Sequence, residues 1–312
     1  MLSRVLAPAL LALTVALGGC ATQTQSLMQA SPAALPDLPR RHELPATPFF
    51  AQERYQCGPA ALAMALQAAG VKVSPDALVS QVYVPERQGS LQPEMLAAAR
   101  RNGAPAMTIA PRLDALLREV AAGHPVIVLQ NLSLAAFPLW HYAVVIGYDL
   151  ERGEAILHSG TTERLVMPLA TFERTWQRGG NWGMTALAPG RLPVSVSEPD
   201  AVAALVAFEK SAEPARALQA YRAGLARWPE NLVLQLGLAN AAYAGGDLAT
   251  AAAVLQHATR SHPDSGAAFN NLATVLAELG DEAGARTAAQ RAVEIGGPWA
   301  ANARATLAAI GK

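Results

Sequence analysis

A cysteine, a histidine and a glutamine carry the chemistry this sequence can offer. Cys57 opens the stretch CGPAALAMALQAA, whose small and apolar residues predict a helix over 57–69 with Pro59 tolerated in its first turn. A thiol at a helix start meets the partial positive charge of the N-terminus, which favours the thiolate and lowers its pKa. His141 opens a predicted apolar strand in WHYAVVIGYD. A buried strand can hold an imidazole rigidly against a facing helix end, and an imidazolium there would lower the thiol pKa further. Gln52, five residues before the cysteine, could set a side-chain amide beside the thiol and, with the Cys57 backbone N–H, form an oxyanion hole. Each residue also has a plainer reading: an inert buried thiol, a core histidine, a surface amide.

The elements that must position these groups read as mixed α and β. Helices are predicted over 91–102 and 112–122. PVIVLQ (125–130) and YAVVIGY (142–148) are short apolar runs that predict buried strands. Glu151-Arg152-Gly153 has turn chemistry, so EAILH (154–158) should return as a hairpin strand. Helices first and then strands with tight turns predict an α+β unit over 44–190. A boundary follows at 188–198, where prolines and small polar residues interrupt the pattern.

Three motifs occur in order: Gln52-x4-Cys57-Gly58-Pro59-Ala60-Ala61, then Gly123-His124-Pro125-Val126-Ile127-Val128, then His141 to Asp149. Together they resemble the papain-like fold of the bacteriocin-processing (double-glycine leader) cysteine peptidase family over residues 45–185. The resemblance implies Cys57 as nucleophile, His141 as general base and acid, and Gln52 as oxyanion donor. The family usually carries an Asp, often Asp-Pro, on the strand after the histidine strand. Here the corresponding residues are Ser159-Gly160. Ser159 could accept a hydrogen bond from the ring but cannot offset imidazolium charge; Asn131 is another possible orienter, and Asp149 should lie too far away. The double-glycine substrate is not carried over, because those peptidase domains are fused to transporters. A peptidase, an acyl transferase and an inactive binding module all remain compatible with the residues.

No cofactor or metal is expected. His42, His257 and His262 have no partner at metal-ligand spacing, His124 should cap a turn, and His158 should face solvent. Trp140, Trp176 and Trp182 could line a substrate cleft or pack a core.

The first twenty residues, MLSRVLAPALLALTVALGGC, place one basic residue before an apolar run that ends in Leu17-Gly18-Gly19-Cys20. This describes an export signal and resembles the bacterial lipoprotein lipobox; an ordinary secretory signal cut elsewhere is the alternative. The lipobox resemblance implies a signal peptide over 1–19, lipid on Cys20 and, with Ala21 following, an outer-membrane destination in a bacterium with two membranes. Residues 20–43, rich in Ala, Ser, Thr, Gln and Pro, read as a tether. Cys57 would then be the only free thiol of the mature chain, since the sequence has two cysteines.

Among 312 residues, Lys+Arg and Asp+Glu are equal at 24 each, so no basic field points to nucleic acid. At 52% hydrophobic and 15% charged, the chain can build a sizeable core. Its C-terminal part repeats. Pro229/Pro263, Leu238/Leu272, Gly246/Gly280, Asp247/Asp281, Ala251/Ala285 and Ala258/Ala292 are each 34 residues apart. This period resembles tetratricopeptide repeats and predicts about three over 199–312. They would form either a concave peptide-binding surface or a packing appendage.

Overall fold

The strands that read as unbroken apolar runs lie between two layers of helix. The computed structural model describes residues 23–52 and 55–311. In chain order the first unit contains α1 (Gln23–Gln29), β1 (Arg41–Glu43), α2 (Cys57–Ala68) and α3 (Pro75–Val82). The hairpin β2–β3 (Tyr83–Val84, Gly89–Ser90), α4 (Gln92–Arg101), β4 (Ala106–Thr108) and α5 (Leu113–Ala121) follow. It ends with β5 (Val126–Asn131), β6 (Trp140–Asp149), β7 (Glu154–Ser159), β8 (Thr162–Pro168), α6 (Leu169–Arg178) and β9 (Gly183–Ala186). The main sheet is antiparallel, in the order β4-β9-β5-β6-β7-β8, with β1 added to the far end of β6.

One face of the sheet presents Tyr142, Val144, Ile146 and Ile156 to α2. The other presents Ala143, Val145, Ala155 and Leu157 to α5 and α6. Strands covered on both faces need no polar side, which is why β5 and β6 do not alternate. Helix α2 is itself apolar all round and buried from Gly58 to Leu66, as a helix sunk between a sheet and other helices must be. Leu62, Met64 and Leu66 are each fully buried there, worth about 1.5–3 kcal/mol apiece.

One expectation is overturned. The segment read as a tether over 20–43 is docked on the domain from Gln23 onward. The backbone N–H groups of Gln23 and Thr24 donate to the two carboxylate oxygens of Glu173, at 2.9 and 3.0 Å. Leu27 and Leu38 are buried, Arg40 donates to the carbonyls of Leu27, Met28 and Leu150, and β1 pairs with β6. The polar composition hid this because side-chain-to-backbone bonds, not an apolar stripe, hold the segment down. Cys20 and the proposed signal over 1–19 lie outside the described residues.

The second unit is three helix pairs and a closing helix: α7 (Glu198–Glu209) with α8 (Pro214–Arg227), α9 (Leu232–Ala244) with α10 (Leu248–Ser261), α11 (Gly266–Glu278) with α12 (Glu282–Ile295), then α13 (Ala300–Ala309). The repeated Gly-Asp sits at the turn inside a pair. Gly246 and Gly280 take φ of +80° and +84°, and Asp247 and Asp281 cap the next helix by accepting from Thr250 and Gly284. Among the described residues no helix is long and apolar enough to cross a membrane.

The units are joined through α5 and β4. Met107 of β4 packs with Ala201, Leu205 and Phe208 of α7, and Arg216 donates to the Gly103 carbonyl at 2.9 Å. Beneath this, the fully buried Glu119 carboxylate bonds His124 Nδ1, the Ser195 hydroxyl, and the Ser195 and Val194 backbone N–H groups. His124 is thus an interior partner of Glu119, not merely a turn residue. Burial alone would raise the Glu119 carboxyl, but the bonds from His124, Ser195 and Val194 hold it below the usual carboxylate value. Its stabilisation is therefore present above the unfolded-state value of about 4.3 and is lost as pH falls through the lower folded value. Glu119→Ala is expected to cost about 3 kcal/mol or more in urea unfolding at neutral pH, because it orphans several buried donors. The gap between variant and parent should close in acid.

Candidate active site

Strand β7 stops pairing with β6 at Val144, opposite His158. Beyond that point β7 bulges into the turn at Gly160, and the β6 edge at Tyr142 is left open. Three groups fill it. The Gln52 side-chain amide donates to the Tyr142 carbonyl at 3.2 Å and accepts from the Gly160 backbone N–H at 3.1 Å. The Gln52 backbone N–H donates to the Gly160 carbonyl. The Cys57 sulfur meets the Tyr142 backbone N–H. The residue beside Tyr142 is His141, whose Nε2 lies 2.9 Å from Ser159 Oγ. The edge of one strand thus gathers Gln52, Cys57, His141 and Ser159 from four separate segments.

Cys57 is the first residue of α2, and Gln56 before it caps nothing with its side chain. The first-turn N–H groups therefore point toward the site unclaimed by a cap. Gly58 is required by packing: a Cβ there would lie 2.2 Å from Ser90 Oγ and 2.5 Å from Ser90 Cβ. The β2–β3 hairpin presses against the helix start at this point, and Tyr142 ties it down by donating from its phenol to the Ser90 carbonyl. Burial pushes the Tyr142 phenol up, so it stays a donor. Its ring meets Trp182 edge-on, with centroids 5.8 Å apart.

The electrostatics differ from the sequence expectation of a resting thiolate. Burial pushes the Cys57 thiol up, and the N–H groups of Tyr142, Gly58 and Cys57 only partly offset it. Burial pushes the His141 imidazole down. No hydrogen bond joins the two side chains: the ring binds Ser159 and the sulfur faces Tyr142 N–H. Both shifts favour the neutral form of each group. With Nε2 occupied by Ser159, Nδ1 is the nitrogen left to take the thiol proton. An aspartate in place of Ser159 could only accept, and would hold the proton on Nε2; a serine hydroxyl fits either tautomer.

The other candidates fall elsewhere. Asn131 is not an orienter of His141. Its Oδ1 accepts from the Ser133 and Leu139 backbone N–H groups, closing the β5–β6 connection. Asp149 caps the turn at the far end of β6 by accepting from Glu151 and Arg152. His158 does not face solvent: it is buried, with Nε2 3.0 Å from the Thr47 carbonyl, Nδ1 against the Glu163 carbonyl, and its ring near Phe49. The expectation failed because β8 and the Thr47 segment cover that face of β7. Trp176 is core and Trp140 is exposed. Among the described residues no three His, Cys, Asp or Glu side chains are grouped to hold a metal. Tyr142, which contributes both its backbone and its phenol, was missed; it read only as part of an apolar strand.

Comparison with known proteins agrees with this division. Residues 45–184 match the model of the Peptidase_C39 like family. Residues 202–258 and 236–298 match a tetratricopeptide-repeat model. A solved structure of a C39-like peptidase candidate from Bacillus anthracis is similar at 19% identity, covering 47% of this chain and 97% of its own, with a TM-score of 0.42. Another, a double glycine motif protease from an AMS/PCAT transporter in complex with the leader peptide, is similar at 22% identity, covering 45% and 89%, with a TM-score of 0.34. No match was found among curated proteins. The chain carries a C39-like peptidase domain followed by tetratricopeptide repeats.

Proposed function

We propose that this protein is a lipid-anchored cysteine peptidase of the cell envelope that cleaves a protein or peptide through a thioester on Cys57, with its repeats binding protein. The observation that carries the reading is the convergence of Cys57, His141, Ser159 and Gln52 on the open edge of β6 at Tyr142. In this mechanism the sulfur attacks the substrate carbonyl carbon as His141 Nδ1 takes the thiol proton. The oxyanion is met by the Cys57 N–H and the second Nε2 hydrogen of Gln52. The C–N bond then breaks, His141 gives its proton to the leaving amine, and a water activated by the same ring releases the acid and restores the thiol. Lipid on Cys20 would place the enzyme at a membrane, at the outer membrane where there are two.

A second reading, an inactive peptidase-like module serving the repeats, is favoured by one observation, that Ser159 rather than an acid stands behind His141. The repeats do offer a groove: Ala239, Asn240, Tyr243, Leu255, Asn271 and Thr274 line a cavity of about 150 Å³ together with Val275. To separate the readings, residues 21–312 would be incubated with a complex peptide library and new N-termini identified by mass spectrometry. Cleavage at a recurrent sequence, absent with Cys57→Ala and His141→Ala, is the expected result; identical patterns for all three proteins would leave the binding module.

A further inference from the structure

Among the described residues, the connection between β5 and β6 gathers five exposed large apolar side chains in one ten-residue stretch. Residues 131–140 (NLSLAAFPLW) contain no charge. Within them Leu132, Leu134, Phe137, Leu139 and Trp140 are 43%, 66%, 77%, 58% and 54% exposed. Such a cluster on a folded surface marks an interaction site. It is also a built element rather than a slack loop. Leu132 N–H donates to the Leu139 carbonyl, and Phe137 N–H to the Leu134 carbonyl. Asn131 accepts from Ser133 and Leu139 and donates to the Leu134 carbonyl. Backbone polar groups bonded inside the turn are what an element needs before it can enter a medium without water.

The course of α1 bears on which medium lies there. The first N–H groups of α1 are held by Glu173. Two residues on, Thr175 Oγ accepts from Gln130 at 2.6 Å, and Gln130 adjoins Asn131 at the root of the apolar turn. The other end of α1 lies by Gly153, at the opposite end of β6, where Met28 would meet a Cβ on that glycine. The helix therefore runs with its start pointing toward the end of the sheet that bears the turn. Cys20 is three residues before Gln23, a reach of about 10 Å even fully extended. A lipid there would hold this end of the domain, with its apolar turn, against the bilayer.

We infer that the 131–140 turn inserts into the lipid surface and seats the Cys57 site at the membrane interface, so that its substrates are polypeptide segments lying at the bilayer. The choice of a bilayer as the medium rests on the lipid-anchor reading; the test below is made without the lipid. Trp140 at the root, next to His141, suits the interfacial layer, where an amphipathic aromatic ring settles.

The test uses unlipidated residues 21–312, which include every described element, and flotation with phosphatidylcholine vesicles. Neutral lipid suits a turn without charge. The parent should float and its tryptophan emission shift to the blue. Leu134→Asp with Phe137→Asp should lose partition by about tenfold or more per side chain, with an unchanged melting temperature because both side chains are exposed. Leu279→Asp, at an exposed leucine of the repeats, should float like the parent. Cys57→Ala should also float, which separates this inference from the catalytic one. A parent that stays in the aqueous fraction, or a turn variant that floats equally, overturns the inference. So does a turn variant whose only defect is a raised KM for a soluble peptide, since that makes the turn a peptide lip.

Discussion

Cys57→Ala is expected to abolish turnover completely while leaving the melting temperature within a few degrees of the parent. The side chain is half-buried at the first position of α2, and its loss removes one sulfur from the rim rather than from the centre of the core. The larger consequence concerns the protonation state. A thiol raised by burial and an imidazole lowered by burial favour a neutral pair, so alkylation of Cys57 should accelerate only as pH climbs through a value above the ordinary thiol pKa of about 8.5. With no hydrogen bond between sulfur and ring, His141→Ala should leave that alkylation profile nearly unmoved yet remove turnover, because His141 acts only once substrate is bound. The acid limb of kcat/KM should report His141. A lowered imidazole stays unprotonated further into acid, so activity should persist below the ordinary histidine value of about 6.5 and fall only beneath it. A thiol titrating well below its ordinary range, shifted upward by His141→Ala, would instead establish a preformed ion pair.

The parts of this site were legible to different degrees, and the differences are physical. The α2 helix, the two central strands and the 34-residue repeat announce themselves through composition and period, because burial on all sides or stacking at fixed spacing leaves a pattern. Cys57, His141 and Gln52 could be picked out because few roles need those residue types in those contexts. Ser159 could be named only because the family resemblance puts an Asp at that place after the histidine strand, where this sequence has Ser159-Gly160. The docking of α1 and β1 could not be read, because much of it is bonds from backbone N–H groups to Glu173 and from Arg40 to backbone carbonyls, with only the isolated Leu27 and Leu38 buried. Helix α3 went unread although Ser74-Pro75 is a cap followed by a first-turn proline, and Ser74 does accept from Ala77. Burial acts on the Cys57 thiol against the lowering expected from the helix N-terminus, because the helix start is a local feature of sequence whereas burial by the surrounding fold is not.

Gln52→Ala is expected to lower kcat by about 10²–10³ with KM little changed, the loss of one oxyanion donor. The structure complicates this residue in a way that sharpens the test. In the resting site the amide bridges the Tyr142 carbonyl and the Gly160 N–H. Alanine therefore orphans two backbone groups as well as removing a donor. A bracing role alone would show as a fall in melting temperature, with activity recovering on cooling. Gln52→Glu separates the roles. A carboxylate still accepts from Gly160 N–H, but it sets an oxygen against the Tyr142 carbonyl and offers nothing to a developing negative charge. If Gln52 is a brace, glutamate should retain more activity than alanine, because half the bridge survives. If it is the oxyanion donor, glutamate should be at least as damaging as alanine, because a negative charge beside the forming oxyanion is worse than an absent donor. The geometry favours the second outcome: the amide has two N–H groups, and only one is spent on Tyr142. The same contact that fixes the side chain at the open edge of β6 leaves its remaining donor free beside Cys57.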